Sequence, residues 1–254
     1  MAEPILETRG LSRSFGALLA VNAVSIAVAR GSVHALIGPN GAGKSTLINL
    51  LSGELEPSDG AVRFGGRDIT GLSADRIARL GVGRSFQRTN IYPSFTCFEN
   101  CWIAAQSRLP SSLRFFRPAG RLGDVRARAE RALDTCGLGA RRGQVAGRMS
   151  YGEQRQLELG MLLATEPELL LLDEPLAGMG QEESAAVTAL LRTLSGERTL
   201  LLVEHDMDAV FAIADRVTVM VNGAVLETGT CDEVRASRAV QEAYLGFEDA
   251  EPLP

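Results

Sequence analysis

Gly38-Pro39-Asn40-Gly41-Ala42-Gly43-Lys44-Ser45-Thr46 joins two apolar runs of different character. Before it, Ser32-Val33-His34-Ala35-Leu36-Ile37 reads as a short buried strand; after it, Leu47-Ile48-Asn49-Leu50-Leu51-Ser52 reads as a helix. Strand, glycine-rich loop ending in Gly-Lys-Ser, then helix is the context of a phosphate-binding (Walker A) loop. The composition follows from the chemistry. Successive backbone N–H groups must point at phosphate oxygens, and a Cβ at the glycine positions obstructs that approach. The start of the helix near Lys44 adds its positive dipole end. Lys44 offers a cation to the β- and γ-phosphates, and Ser45 a hydroxyl to Mg²⁺. All nine residues are therefore candidate nucleotide contacts.

Further along, Leu169-Leu170-Leu171-Leu172 runs into Asp173-Glu174-Pro175. An apolar strand ending in Asp delivers a carboxylate to the carboxyl edge of a sheet, where it can hold Mg²⁺ beside the phosphate loop. The adjacent Glu174 can polarise the water that attacks the γ-phosphate, which makes it the candidate catalytic base. An ordinary strand-ending turn is the plainer alternative for Asp-Glu-Pro, weakened by the phosphate loop upstream.

The 254 residues suffice for one large α/β domain, and 45% hydrophobic with 22% charged residues is ordinary for a globular chain. A net charge of −5 argues against non-specific nucleic-acid binding, which needs a basic surface. The longest apolar runs, such as 169–172 and 200–203, are strand-sized, so no membrane span is expected. The N-terminal MAEPILETRG lacks a basic stretch followed by an apolar one, so no signal peptide is expected and the chain is assigned to the cytoplasm. Cys97 and Cys101 are spaced to meet on a helix, but no second ligand pair accompanies them; reduced thiols in apolar packing are expected for all four cysteines, Cys136 and Cys231 included.

The order of elements points to an α/β fold. Residues 5–30 read as two strands, with Val24, Ile26 and Val28 alternating, and 61–69 as another strand broken by Gly65-Gly66. Ser73 is placed to cap a short helix that Gly81 ends, and 82–87 is a short strand. From about residue 88 strand signals vanish: 98–107, 126–136 and 152–165 read as helices, around a segment, 108–124, that contains Leu113-Arg114-Phe115-Phe116-Arg117. The α/β pattern then returns with a helix at 181–194, a strand at 199–203 and a helix at 206–214. Asn222-Gly223 marks a hairpin, and Thr230 with Glu233 a capping box that opens a C-terminal helix. The tail, 248–254, is expected to be disordered.

Between the two phosphate-site motifs lies Met149-Ser150-Tyr151-Gly152-Glu153-Gln154-Arg155-Gln156. It resembles the signature motif of ATP-binding-cassette (ABC) proteins, usually LSGGQ. Ser150 and Gly152 match; Tyr151 stands where the first glycine usually is, and Glu153 where the glutamine is. A helix start carrying Ser150 and free N–H groups suits a γ-phosphate, although a plain N-cap explains the same residues. Other positions of the family fall in order. Gln87 matches the glutamine that reaches Mg²⁺, His205 the histidine that contacts the γ-phosphate, and Phe15 the aromatic that stacks on adenine, with a core phenylalanine as the alternative. Gly180 stands where the family often has Asp or Asn.

The resemblance implies a P-loop NTPase of the ABC-ATPase fold: a mixed-sheet core with N-terminal antiparallel strands and an inserted helical subdomain. As one domain it would divide into a nucleotide core (1–87 and 166–230), the helical subdomain (88–165), and a C-terminal helix and tail (231–254). It also implies ATP and Mg²⁺, the latter held by Ser45, Gln87 and Asp173, with Glu174 and His205 catalytic and Ser150 to Glu153 acting across a dimer. Arg84-Ser85-Phe86-Gln87, Glu99-Asn100, Ser150-Tyr151-Gly152 and Gln241-Glu242-Ala243-Tyr244-Leu245-Gly246 are similar to the ATPases of branched-chain amino-acid uptake. The implied partners are two membrane permease subunits, a second ATPase subunit, the same or a sister chain, and indirectly an external solute-binding protein, with no nucleic acid. The implied location is peripheral, on the cytoplasmic face of the bacterial inner membrane. Alternatives are the ATPase of lipopolysaccharide export and a soluble ABC ATPase acting on nucleic acid. An inactive nucleotide-binding module conflicts with the presence of Lys44, Asp173, Glu174 and His205 together.

Overall fold

Two sheets and a set of helices divide the chain, and the alternation of side chains along the strands decides what covers what. The computed structural model describes residues 4–86, 89–108 and 123–245. The strands are β1 (Pro4–Phe15), β2 (Leu18–Val24), β3 (Ala27–Ala29), β4 (Val33–Ile37), β5 (Asp59–Phe64), β6 (Arg67–Asp68), β7 (Val82–Arg84), β8 (Leu169–Asp173), β9 (Thr199–Val203), β10 (Arg216–Val221) and β11 (Ala224–Gly229). The helices are α1 (Lys44–Leu51), α2 (Ala74–Leu80), α3 (Cys97–Gln106), α4 (Gly123–Thr135), α5 (Tyr151–Ala164), α6 (Gln181–Leu194), α7 (Met207–Ile213), α8 (Cys231–Ala236) and α9 (Arg238–Leu245).

The central sheet has the order β11-β10-β4-β9-β8-β7, parallel from β10 to β7 and closed by the antiparallel hairpin β10–β11. The inner strands β4, β8 and β9 are buried over their whole length because both faces are covered. Leu169 and Leu171 of β8 face α1 and the N-terminal strands, while Leu170 and Leu172 face α5 and α6. Ala35, Ile37, Val217 and Val219 pack under α7, α8 and α9. Parallel registers set Leu36 opposite Val203 and Asp173 opposite Val203, so the carboxyl ends of β4, β8 and β9 share one edge. That edge is where a doubly covered parallel sheet binds ligands.

The antiparallel sheet is built on β1, which pairs with β2, β3 and β5. Residues 5–30, expected as two strands, therefore form three. The break falls at Ser25-Ile26, where the Thr8 hydroxyl donates to the Val24 carbonyl at 2.9 Å and accepts the Ile26 N–H at 3.0 Å. The expected strand at 61–69 is the hairpin β5–β6, turning at Gly65-Gly66. Ser73 sits at the N-cap of α2, but its hydroxyl bonds the Asp75 carboxylate and no helix N–H.

α3, α4 and α5 pack on one another, and their buried residues belong to the same apolar cluster as Leu170, Leu172, Leu200 and Leu202 of β8 and β9. Cys97, Cys101 and Cys136 lie in that core. Burial pushes the Cys136 thiol up to about 12 and Cys101 higher still, so both stay protonated and behave as small apolar groups. Gly160 lets α5 approach: a Cβ there would lie 3.3 Å from the Cys101 Sγ. The Thr230–Glu233 capping box at α8 is present. Leu113, Phe115, Phe116 and the rest of 109–122 lie outside the described residues, as do Gln87 and the tail. Among the described residues, no helix is long and apolar enough to cross a membrane.

Candidate active site

The phosphate loop leaves the end of β4 and enters α1 at Lys44. Gly43 holds the N-cap position with φ +94°, and a Cβ there would collide with the Ala20 carbonyl oxygen, so only glycine fits. Gly43 has no side chain to cap the helix, and the first turn of α1 has no acidic residue. The N–H groups of that turn are thus left for an external anion. At Gly41, φ +79°, a Cβ would meet nothing within 4 Å, so the loop is open on that side. Gly38 also has positive φ; Pro39 and Ala42 are buried, and Asn40 and Gly41 exposed.

Lys44 folds back over the loop, its Nζ donating to the Gly38 carbonyl at 2.6 Å and the Pro39 carbonyl at 3.0 Å. Burial lowers its pKa, and the nearby Glu174 and Asp173 carboxylates oppose that shift. Ser45 Oγ donates to Asp173 Oδ1 at 3.4 Å. Thr46 follows in the first turn of α1. Asp173 is only 2% exposed. Burial and the neighbouring Glu174 raise its pKa, while Arg84, Ser45 and Lys44 pull it down. A serine hydroxyl and one carboxylate are hard oxygen donors and suit Mg²⁺, which takes one or two protein ligands and completes its shell with phosphate and water. Among the described residues no group of three or more acidic, His or Cys side chains forms an all-protein metal cage.

Glu174 has φ +50°, a left-handed conformation rare for a non-glycine residue, and its N–H is held by the Val203 carbonyl at 2.9 Å. Strain of this kind collects where function needs a fixed side-chain position. His205 follows β9 with its side chain 68% exposed. Beneath it, Glu204 is 1% exposed; its carboxylate accepts the Leu176 N–H at 2.8 Å and the His205 N–H at 3.2 Å. Burial raises the Glu204 pKa. Glu204 ties the loop after Glu174 to the loop of His205. Phe15 is 44% exposed with Arg13 4.8 Å from its ring centroid, which removes the core alternative and leaves a ring face at the surface.

Residues 150–153 lie apart from this cluster. Ser150 caps α5: its Oγ accepts the Glu153 N–H at 3.3 Å, and its own N–H donates to Glu153 Oε2 at 3.0 Å. Glu153 also pairs with Arg141. Ser150 Oγ donates to Glu183 Oε1 at 3.1 Å, and a Cβ on Gly152 would run into the Glu183 carboxylate. Tyr151 is exposed, with Gly178 beside its ring. Gln87 lies outside the described residues, so its position relative to Asp173 is not part of this geometry.

Glu204 and Glu183 carry no expectation from sequence, and Arg84 enters it only as part of the stretch 84–87, with no role of its own. Arg84 donates to Ser52 Oγ at 2.7 Å and sets its charge near Asp173. The signal for Glu204 was a carboxylate directly after an apolar strand; Arg84 and Glu183 gave none, since their partners are remote in sequence.

A phosphate loop, a strand-ending Asp-Glu pair and a histidine after the next strand, all at one sheet edge, define a nucleoside-triphosphate hydrolase of the ATP-binding-cassette type. Residues 21–177 match the family model described as ABC transporter, and the chain belongs to that family. It is an ATPase subunit of that family. It is 40% identical over 253 residues to the high-affinity branched-chain amino acid transport ATP-binding protein BraF of Pseudomonas aeruginosa, covering 97% of this chain and 99% of BraF. It is 37% identical to the corresponding LivG protein of Escherichia coli with the same coverage. The crystal structure of the ADP conformation of MJ1267, an ATP-binding cassette of an ABC transporter, superposes with a TM-score of 0.86 at 30% identity, covering 97% of this chain and all of that one.

Proposed function

We propose that this chain powers an importer for branched-chain amino acids or a related small solute. Two ATPase subunits, identical or sister chains, would dock under two membrane subunits at the cytoplasmic face of the inner membrane, with an external solute-binding protein delivering cargo. The near end-to-end similarity to BraF and LivG carries the choice of solute class. The −5 charge disfavours a nucleic-acid partner.

The geometry supports the roles of the phosphate loop, Ser45, Asp173 and Glu174, and the family resemblance supplies the others. Residues 38–46 wrap the phosphates and Lys44 neutralises them. Phe15 offers its ring to the adenine. Ser45 and Asp173, with Gln87, would hold Mg²⁺, which would supply charge neutralisation to the phosphates. Glu174 takes the proton of the attacking water, and His205 positions the γ-phosphate. Ser150, Tyr151, Gly152 and Glu153 meet the γ-phosphate bound by the other subunit. ATP therefore favours the closed dimer by differential affinity, and hydrolysis removes the contact. The domain division at 87/88, 165/166 and 230/231 would separate the hydrolytic half-site from the signature half-site. The test is Glu174→Gln. ATP should bind and trap a dimer in sedimentation, while hydrolysis with the membrane partners falls to background. Near-normal turnover would remove Glu174 from its role.

A further inference from the structure

Arg155 and Glu158 form an ion pair inside the protein, 2.9 Å apart, with side chains 4% and 8% exposed. Replacing such a pair by well-packed apolar residues is often neutral or stabilising, so stability alone gives little reason to keep it. Its partners are more informative. Arg155 Nη1 donates to the Phe86 carbonyl at 2.8 Å, and its Nε to the Tyr151 hydroxyl at 3.2 Å. Glu158 accepts the Asn90 N–H at 3.4 Å. One residue before Phe86, Ser85 receives the Asp173 N–H on its hydroxyl at 3.2 Å and gives its own N–H to Leu171 at 2.9 Å. Polar contacts thus run from Tyr151, beside Ser150, through Arg155 to the Phe86 carbonyl, and from Ser85, the next residue along the backbone, to the Asp173 N–H.

We infer that Arg155, fixed by Glu158, is a positioning residue joining the signature turn of α5 to Asp173 at the end of β8. A shift of α5 when Ser150 meets a phosphate would pull on Phe86 and so on the carboxylate that holds the metal. Arginine suits the task because its planar fork serves three directions at once, which a lysine ammonium at the end of a flexible stem cannot do in the same geometry. This inference rests on the roles proposed above for Ser150 and Asp173.

The test uses the full chain with Glu174→Gln to prevent turnover, and calorimetry of ATP binding in EDTA and in Mg²⁺. In the pair replacement Arg155→Met with Glu158→Leu, no buried charge is left alone. ATP affinity in EDTA should match the parent, whereas the gain on adding Mg²⁺ should shrink by about tenfold, the low end of the cost of disturbing the groups that orient a metal ligand. Arg155→Lys, which keeps the charge opposite Glu158 but loses the fork, is measured in the same way and should lose part of the gain. It also decides the matter if the pair replacement does not fold. A folded variant with the parent's full Mg²⁺ gain overturns the joint. A parent chain whose ATP affinity ignores Mg²⁺, or is unchanged by Asp173→Asn, places the failure in the metal assignment instead.

Discussion

Lowering the pH from about 7.5 to about 5 should weaken the fold through one imidazole on the strand that carries the phosphate loop. His34, in β4, is 1% exposed and faces β10, where its Nε2 lies 2.7 Å from Thr218 Oγ1; its Nδ1 has no hydrogen-bond partner among the described residues. Burial first, and then the charge of Arg216, lower its pKa from 6.5 to about 4. The folded state therefore keeps the ring neutral where the unfolded chain protonates it. The sign follows: the stability is fully present above about pH 6.5 and is lost as pH falls towards about 4. The full shift corresponds to about 3 kcal/mol, of which about 2 kcal/mol is lost by about pH 5.

Urea unfolding of the parent and of His34→Gln at both pH values checks this. Glutamine retains a polar group near Thr218 but does not titrate. The buried carboxylates Asp173, Glu158 and Glu204 have raised pKa values, which favour the folded state as pH falls, yet both chains carry them and they cancel in the comparison. The parent should lose about 2 kcal/mol more than the variant. Equal pH dependence in the two chains would refute the assignment of a buried neutral ring.

Lys44→Ala should reduce ATP affinity by about ten- to a hundredfold, the worth of one hydrogen-bonded charge, with the far-UV spectrum intact; unchanged affinity by calorimetry would displace Lys44 from the phosphates. Glu183→Gln removes a carboxylate that holds the Ser150 hydroxyl, so ATP should trap the Glu174→Gln dimer at lower protein concentration. An unchanged or weaker dimer in sedimentation would mean that Glu183 does not compete with phosphate there.

What could be read from sequence was local. The phosphate loop, the strand 169–172 and the helix 181–194 declare themselves through adjacent residues: glycines before a lysine, an unbroken leucine run, a stretch of 3.6-residue period. α6 and β9 match their expected limits, and β8 extends by the single residue Asp173. The three-strand arrangement of 4–29 could not be read, because the break depends on Thr8 bonding to Val24 and Ile26, 16 and 18 residues away. The same holds for Arg84 and Glu183, whose partners Ser52 and Ser150 are 32 and 33 positions distant. For Phe15 the sequence allowed either a buried or an exposed ring, and strand pairing with Leu18 in a tight hairpin settles it, since both residues fall at the hairpin's exposed end.

Within one chain the Lys44 and Ser150 side chains, both proposed to meet phosphate, are already bonded to their own neighbours. Lys44 is bonded to its loop's carbonyls, while Ser150 is bonded to Glu153 and Glu183. Among the described residues, no hydrogen bond or ion pair links 150–153 to 38–46. A γ-phosphate that bridged two copies would give each side chain a better partner than it has alone: the doubly charged oxygens outbid neutral carbonyls for the Lys44 ammonium, and they replace a carboxylate at Ser150 that contributes only one charge. The exchange removes the cost of dehydrating both side chains only while the γ-phosphate is present. An isolated subunit should then hold nucleotide through 38–46 alone, and the affinity of two subunits for each other should depend on ATP rather than ADP. That dependence is the property an ATP-driven opening and closing cycle needs, and measuring it would support the proposal that Ser150 acts across a dimer.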